Sequence, residues 1–459
     1  MILMKRKIKL FTALFTVAAI SVAMFTGCGK EKSNVSVVRV WTGEGATKQF
    51  MDKKVAEFND TVGKEKNIKI DYKVVMSGLD DMIKSSYENG DGPEIVSGSL
   101  NGLKQLRQLG YVVPITDVAG GQEFLNSLDV EIPETSTYMS DGKVYAFPTT
   151  CLVGGIVYNK DLFKKVGFVD SEGKAKAPET WDEVIEVSKK IRKQDKTKYG
   201  IALPMKDGFV WGYAMGWAMS ASSNGIEYDW ENKTVSCDSS RNLLEVMLKL
   251  KEADVCFPGS ENLDNDTARL QFSEGNIGMF MGCSWDVGVL TEQFPAKCDW
   301  GVAEYPVIDK NDKYLQNGQI GSSMRIGKSA KTSAEMEKAV MEVYKWLYGD
   351  EIQQYEYQIG QSLPYRPRLI EKFSNIDVPE QQKEFNKLRN VTRTPAEVPS
   401  LKIEGDTSTV VYEKVWIGEM TVDEAIKDLN TRYSKAFKKG IEDGSLIKSD
   451  YNTDVSYKR

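Results

Sequence analysis

The chain has 459 residues, no histidine, and a formal net charge of −6 at neutral pH. The absence of histidine excludes histidine-based catalytic triads, acid/base dyads and zinc sites, and the negative charge argues against nucleic acid as a partner. A chain longer than the roughly 250–300 residues at which single hydrophobic cores stop growing is expected to form two lobes.

The amino terminus has the pattern of a secretory signal, because four basic residues precede an apolar run over residues 10–25. This run is shorter than the roughly 20 residues of a membrane-spanning helix. Its end, Phe25-Thr26-Gly27-Cys28, resembles the bacterial lipobox, in which the cysteine is lipidated and becomes the first residue. We therefore expect residues 1–27 to be a lipoprotein signal peptide, Cys28 to carry lipid, and residues 28–35 to form a tether.

Strand and helix patterns alternate after the tether. Strands are predicted over residues 37–41 and 67–76, with a third after the turn that begins at Asp91. Amphipathic helices are predicted through residues 50–58 and 79–87. This alternation indicates an α/β fold with a parallel sheet and helices on both of its faces.

Residues 141–183 carry the most specific pattern in the chain. It consists of DGK-x-Y-x-x-P from Asp141, YNKDLF from Tyr158, and P-x-T-W-x-E from Pro178. The first two residues predict a hairpin turn, and Thr180 with Glu183 predicts a capping box at the start of a helix.

Residues 272–286, FSEGNIGMFMGCSWD, predict a helix stop, a short apolar strand and a new helix beginning at Trp285. Open α/β sheets place their ligand sites where a buried strand leads into a helix. Trp285 is therefore either a flat surface at the mouth of a cleft or a core anchor. Trp211 has the same two interpretations, because it lies off the helical face that residues 209, 213 and 217 share.

The 141–183 pattern and the 272–286 segment resemble the extracellular solute-binding proteins of ABC importers, the family that includes maltose-binding protein. QNGQIG at 316–321 and the segment Gly418–Ala425 extend the resemblance to about residues 36–440. It implies a two-lobed, periplasmic-binding-protein-like fold with a ligand cleft between the lobes. The expected division is lobe 1 at 36–147 with a return segment at 287–330, and lobe 2 at 148–286 with a carboxyl-terminal segment at 331–459.

The resemblance implies a binding protein that closes around a sugar or oligosaccharide, with no catalysis, cofactor or metal. Its stacking and hydrogen-bonding groups are expected to be Trp41, Glu44, Asn101, Thr150, Trp211, Trp285, Asp286, Gln319 and Arg366. At Leu152 the chain departs from the acidic residue that members of the family often carry.

The expected partners are a carbohydrate ligand, the membrane subunits of an ABC permease, and the membrane itself through the lipid anchor. We expect a monomer, anchored at the cell membrane and facing outside the cytoplasm. Five cysteines follow Cys28, an odd number without a C-x-x-C spacing, and they are predicted to be buried free thiols.

Two alternatives stay open. The same fold could carry a non-sugar solute, such as a polyamine, a metal chelate or a peptide-like compound, and a cleft rich in carboxylates would favour that. A surface glycoside hydrolase would need two carboxylates roughly 5–9.5 Å apart.

Overall fold

The computed structural model describes residues 35–459 except 46, 99, 130–131, 133–137, 207–209, 321–323, 395–397, 400, 447 and 453–454. The predicted signal peptide, Cys28 and all of the tether but its last residue lie outside the described residues. Within the described ranges, no helix is long and apolar enough to cross a membrane.

The described residues form short strands and longer helices. The strands are β1 Ser36–Thr42, β2 Ile68–Val74, β3 Ile95–Val96, β4 Val112–Val113, β5 Met139–Ser140, β6 Lys143–Val144, β7 Thr150–Leu152, β8 Gly154–Asn159, β9 Tyr199–Ala202, β10 Tyr228–Asp229, β11 Thr234–Val235, β12 Ile277–Cys283, β13 Trp300–Ala303, β14 Gln316–Asn317, β15 Gln319–Ile320, β16 Arg325–Gly327, β17 Leu363–Pro364 and β18 Thr392–Arg393. The helices are α1 Lys48–Asp60, α2 Val62–Lys66, α3 Leu79–Glu88, α4 Leu100–Gln108, α5 Gly121–Asn126, α6 Lys160–Lys165, α7 Trp181–Gln194, α8 Met215–Ser220, α9 Ser239–Glu252, α10 Asn265–Ser273, α11 Asp286–Gly288, α12 Ala334–Leu347, α13 Asp350–Gln358, α14 Pro367–Phe373, α15 Glu380–Leu388, α16 Ser408–Ile417 and α17 Val422–Glu442.

A five-stranded sheet in the order β2-β1-β3-β16-β4 organises the first core. β1 is parallel to β2 and to β3, as the alternation of strands and helices predicts. β16 is antiparallel to both of its neighbours, so the sheet is mixed rather than parallel throughout. Side chains of β1 and β2, among them Val38, Val40 and Ile70, are buried against α1 and α12.

A four-stranded sheet in the order β13-β8-β12-β9 organises the second core. Its central strand β12 is buried at all seven residues, because β8 pairs with it on one side and β9 on the other while helices cover its faces. The apolar run predicted at residues 277–281 therefore forms the expected strand.

A small antiparallel sheet, β15-β7-β17, lies where the chain passes between the two cores. β7 begins three residues after Phe147, which belongs to the first core, and leads directly into β8 of the second sheet. The chain therefore passes from the first core to the second sheet between Phe147 and Gly154.

Two segments belong to a different core from the one in which the predicted lobe division places them. β13 lies within the 287–330 segment expected in lobe 1, but it hydrogen-bonds to β8 of the second sheet. α12 lies in the 331–459 segment expected in lobe 2, yet it packs on the first core through Val340 and Val343. The pairing partner of β13 and the packing partner of the apolar face of α12 decide these placements, and both partners are distant in sequence.

Several local predictions are confirmed. Asp141 and Gly142 have φ of 51° and 71°, as the two-residue turn between β5 and β6 requires. Thr180 accepts a hydrogen bond from the Glu183 amide, although the Glu183 carboxylate accepts from Glu179 rather than from Thr180, so the capping box is half formed. The five described cysteines are free: Cys151, Cys237, Cys256, Cys283 and Cys298.

Candidate functional site

A cavity of about 350 Å³ lies beside the crossing strands, and we call it the cleft cavity. Its wall comes from the loop after β1, the start of α1, β2, the crossing strands β7 and β15, the turn after β12, and α13. The lining residues are Glu44, Thr47, Met51, Tyr72, Ser97, Thr149, Thr150, Leu152, Trp285, Gln319, Met324, Leu347, Tyr348, Ile352, Gln353, Glu356, Gln361 and Ser362.

Trp285 reaches this wall from the turn between β12 and α11. Its side chain is half-buried, and it borders both the cleft cavity and the second core. The two interpretations of this tryptophan, cleft surface and core anchor, therefore each describe part of its environment.

The turn that carries Trp285 is held by a buried ion pair. The Asp286 carboxylate accepts from the Cys283 amide at 2.7 Å and from the Arg269 guanidinium at 2.7 Å. Burial raises the pKa of Asp286, and the positive charge of Arg269 opposes that rise. Asp286, a predicted ligand contact, is 2% exposed and does not line the cleft cavity. It holds the turn instead.

Four of the nine predicted ligand contacts line the cleft cavity together. They are Glu44, Thr150, Trp285 and Gln319. They lie far apart in sequence. The pairing of β15 with β7 places Gln319 and Thr150 on neighbouring strands.

Three other predicted contacts lie elsewhere. Trp211 is 3% exposed in the second core, because its helical turn packs inward against Tyr412. Arg366 is 7% exposed, and its Nε donates to Asp129 at 2.9 Å. Trp41 stacks under the Lys73 ammonium at 4.7 Å and packs against a separate small core.

Asn101 lies in α4, and its side chain is outside the described residues. The prediction for Asn101 is therefore untested.

Sequence reasoning missed the contribution of α13, which adds Gln353 and Glu356 to the cavity wall. Gln353 is 4% exposed, and its Oε1 has no hydrogen-bond partner. The two residues are three apart and share a helix face, but several helices in the chain have similar polar pairs. Only the packing of α13 beside the crossing strands distinguishes this pair.

The cleft cavity is acidic. Glu44 and Glu356 line it, and its described lining contains no lysine or arginine. Burial, reinforced by the negative charge of Glu44, raises the pKa of Glu356 to about 8, and a hydrogen bond from Ser362 opposes the rise. Burial and the same two carboxylates raise the pKa of Tyr72.

The described residues contain no cluster of three cysteine, aspartate or glutamate side chains able to hold a metal ion. The polar groups that line the cleft cavity can donate and accept hydrogen bonds, and its indole offers an apolar face.

The family model described as "bacterial extracellular solute-binding protein" matches residues 43–354. The multiple sugar-binding protein of Streptococcus mutans is 29% identical over 123 residues, which is 26% of each chain. The sn-glycerol-3-phosphate-binding periplasmic protein UgpB of Brucella suis is 28% identical over 195 residues, 40% of this chain and 42% of the relative. The matched regions thus span less than half of these curated relatives.

The solved structure of the GacH receptor of Streptomyces glaucescens is similar in fold. The TM-score is 0.68 with 18% identity, covering 88% of this chain and 99% of the receptor. At this identity the likeness concerns the fold, and it confirms the predicted two-lobed α/β architecture with a cleft between the lobes.

Proposed function

Because the chain belongs to the bacterial extracellular solute-binding protein family, we propose that it captures a sugar or oligosaccharide in the cleft cavity and delivers it to an ABC permease. The observation that carries this proposal is the wall of the cavity, where the indole of Trp285 borders the same space as hydroxyl, amide and carboxylate side chains. A flat apolar ring and several hydrogen-bonding groups together suit a sugar, which has apolar ring faces and polar edges.

The relatives support this choice of ligand class. The Streptococcus mutans relative is named a multiple sugar-binding protein, and the Streptomyces receptor is described in complex with acarbose. The Brucella relative binds sn-glycerol-3-phosphate, so membership of the family does not by itself select a sugar. The family consists of binding proteins rather than enzymes.

Capture requires the lobes to close around the solute. The cleft cavity takes residues from the loops of the first sheet and from the turn after β12 of the second, with β7 and β15 between them. A rotation about the crossing strands would bring Trp285 towards Glu44 and cover a bound solute. The closed form is the one that the permease would recognise.

The family is extracellular, so the chain works outside the cytoplasm. We infer that a lipid on Cys28 holds it at the cell membrane as a monomer. Cys28→Ser should release the protein from membranes into the medium, which fractionation and immunoblotting would measure. Retention of the variant at the membrane as tightly as the unchanged protein would contradict the anchor.

The lobe boundaries are also part of the proposal, in revised form. We infer that lobe 1 includes β16 and α12, and that lobe 2 includes β13. Residues 147–152 and 316–320 would then be two of the crossings on which the lobes rotate.

A second candidate ligand class is a solute with a protonated amine, such as an amino sugar or a polyamine. Glu44 and Glu356 in one cavity, with no lysine or arginine in its described lining, favour this candidate. A cation would offset the cost of ionising the half-buried Glu356. A glycoside hydrolase also needs two carboxylates in one site, so turnover has to be measured too.

The experiment is a thermal-shift panel of neutral oligosaccharides, amino sugars, acidic sugars and polyamines at pH 7. One or a few neutral or amino sugars should stabilise the protein, by about 2.7 kcal/mol at 100 times the dissociation constant. Small-angle scattering with the hit should show compaction, and product analysis after prolonged incubation should show an intact ligand.

Each class of outcome has a distinct meaning. Hits confined to polyamines would identify a cationic solute, rather than a sugar, as the ligand. Steady hydrolysis of a hit would support the hydrolase, and a panel without hits would overturn the proposed ligand classes.

A further inference from the structure

A second, smaller cavity of about 130 Å³ lies next to the cleft cavity, and we call it the arginine cavity. Leu152 and Gln319 line both cavities. The arginine cavity also contains Arg389 and Arg393, and its described lining contains no carboxylate.

Arg393 is fixed in place by its strand and by a ring. It lies on β18, which pairs in parallel with β14, and its Nε donates to the Asn317 side chain at 2.7 Å. Its Cζ lies 3.5 Å from the centroid of the Tyr457 ring. The fork of the guanidinium is therefore held in one orientation before any ligand arrives.

Among the described residues, the charge of Arg393 has no acidic partner. The side chain is 7% exposed, its Nη1 is buried without a hydrogen-bond partner, and no described carboxylate lies within ion-pair distance. Burial lowers the pKa of Arg393 to about 10. A buried cation whose N–H groups are unsatisfied is costly, unless an anion from outside the chain completes it.

Arg389 adds a second positive charge on the same cavity. One of its Nη1 hydrogens goes to the Pro364 carbonyl, and no described carboxylate pairs with it. Two guanidinium groups around a space large enough for several water molecules match a carboxylate or a tetrahedral oxyanion in geometry and charge.

We propose that the arginine cavity is a binding site for a small oxyanion, namely a phosphate, a sulfate or the acid group of a solute. Nη1 of Arg393 and the guanidinium of Arg389 donate to its oxygens. Because Gln319 borders both cavities, an anion here changes the position of a residue that also contacts the solute. Occupation of the two sites is therefore coupled, and the coupling is reciprocal. The anion site itself does not depend on the proposed function.

Titration of the purified protein with sodium phosphate, sodium sulfate and sodium glucuronate tests the site. Sodium chloride at equal ionic strength is the reference, and thermal unfolding and calorimetry are the readouts. At least one oxyanion should stabilise the protein beyond chloride. A response to phosphate or sulfate identifies a free anion, whereas a response to glucuronate alone identifies the acid group of a sugar.

Arg393→Gln should weaken the affinity for the oxyanion by about 10- to 100-fold, the loss expected for a charged hydrogen bond. Arg192→Gln is the matched control, because Arg192 also stacks on a tyrosine, Tyr199, but has a carboxylate partner in Asp254. If Arg393→Gln does not fold by circular dichroism, Arg389→Gln takes its place.

Three results would overturn the site. The first is that every oxyanion shifts the melting temperature no more than chloride, and the second is an unchanged affinity in the folded arginine variant. The third is an equal loss of affinity in Arg192→Gln, which would mean an adventitious surface effect.

Discussion

The cleft cavity and the arginine cavity share Leu152 and Gln319, yet their linings have opposite charge. The first has two carboxylates and no described cation, and the second has two guanidiniums and no described carboxylate. Both contrast with the ion pair of Arg269 and Asp286 behind Trp285, where each buried charge has its partner within the chain. The ion pair stabilises the turn, whereas the buried guanidinium of Arg393 lies beside a cavity and is the group for which we propose an external partner.

The matched pair sets the largest expected effect. Arg269→Met should lower the free energy of unfolding by about 3–5 kcal/mol, because it leaves Asp286 buried and unpaired. Denaturant melts would measure the loss. Asp266→Asn is the control, since Asp266 is the exposed partner of the same arginine, and it should cost less than about 1 kcal/mol. A small loss in Arg269→Met would remove the contrast between matched and unmatched charge.

Trp285→Ala should affect binding in the cleft cavity but not in the arginine cavity. Loss of part of the indole surface should weaken solute binding by about 2–4 kcal/mol, or roughly 30- to 700-fold, and leave the oxyanion affinity unchanged. Calorimetry with each ligand would measure this. Trp41→Ala is the matched control, because Trp41 is also half-buried but lies outside the cavity wall. A large loss of stability with near-normal affinity would make Trp285 a core anchor.

The acidic lining of the cleft cavity should make the free energy of unfolding depend on pH. Glu356 has a folded pKa of about 8 against its ordinary value of 4.5, so the folded state keeps a proton that the unfolded state releases. Its contribution to stability is therefore fully present below about pH 4.5 and is lost as the pH rises towards 8. The loss should be roughly 2–3 kcal/mol, because the side chain remains partly open to solvent.

Glu356→Gln should flatten the unfolding free energy between pH 5 and pH 8, as measured by urea melts at several pH values. Glu351→Gln, on the exposed face of the same helix, should leave the profile unchanged. For a solute with a protonated amine, affinity should rise with pH through the same interval, whereas a neutral sugar should show no such rise. An unaltered profile in Glu356→Gln would assign the pH dependence to another group.

A substitution in the wall between the two cavities should have the smallest effect on stability and binding. A methyl group on Gly318 would lie 2.3 Å from Cγ2 of Thr392 and 2.8 Å from the Leu152 carbonyl oxygen, so Gly318→Ala has to displace a crossing strand. We expect a loss of about 1–3 kcal/mol in stability and weaker binding in both cavities. Gly216→Ala is the control, because its new methyl group would have ordinary contacts. Weaker binding in one cavity alone would contradict the proposal that the two cavities are coupled through this wall.

Local chemistry allowed much of the fold to be predicted from sequence. The turn at Asp141-Gly142, the buried strand before Trp285 and the cap of Thr180 on the Glu183 amide each depend on residues within a few positions of one another. Such signals rest on backbone dihedral preference, side-chain period and hydrogen bonds that close locally. The family resemblance then supplied the two-lobed arrangement.

The candidate site was predicted only in part, because its residues meet through pairing between distant strands. Glu44, Thr150, Trp285 and Gln319 were among the predicted contacts and line the cleft cavity, whereas Glu356 was not predicted and Trp211 lies in the second core. From sequence, Trp211 and Trp285 each allowed a cleft or a core interpretation, and the packing of Trp211 in the second core, beside Tyr412, separates the two residues.

The sequence by itself determined the strands, the turns, the helix caps and the family pattern, since each follows from neighbouring residues. The tertiary structure decided which charges are matched. Asp286 and Arg366 were both predicted as ligand contacts, but Arg269 and Asp129 pair with them. Whether a charge is paired depends on a partner up to 237 residues away and on how much water surrounds both, and no local pattern records either.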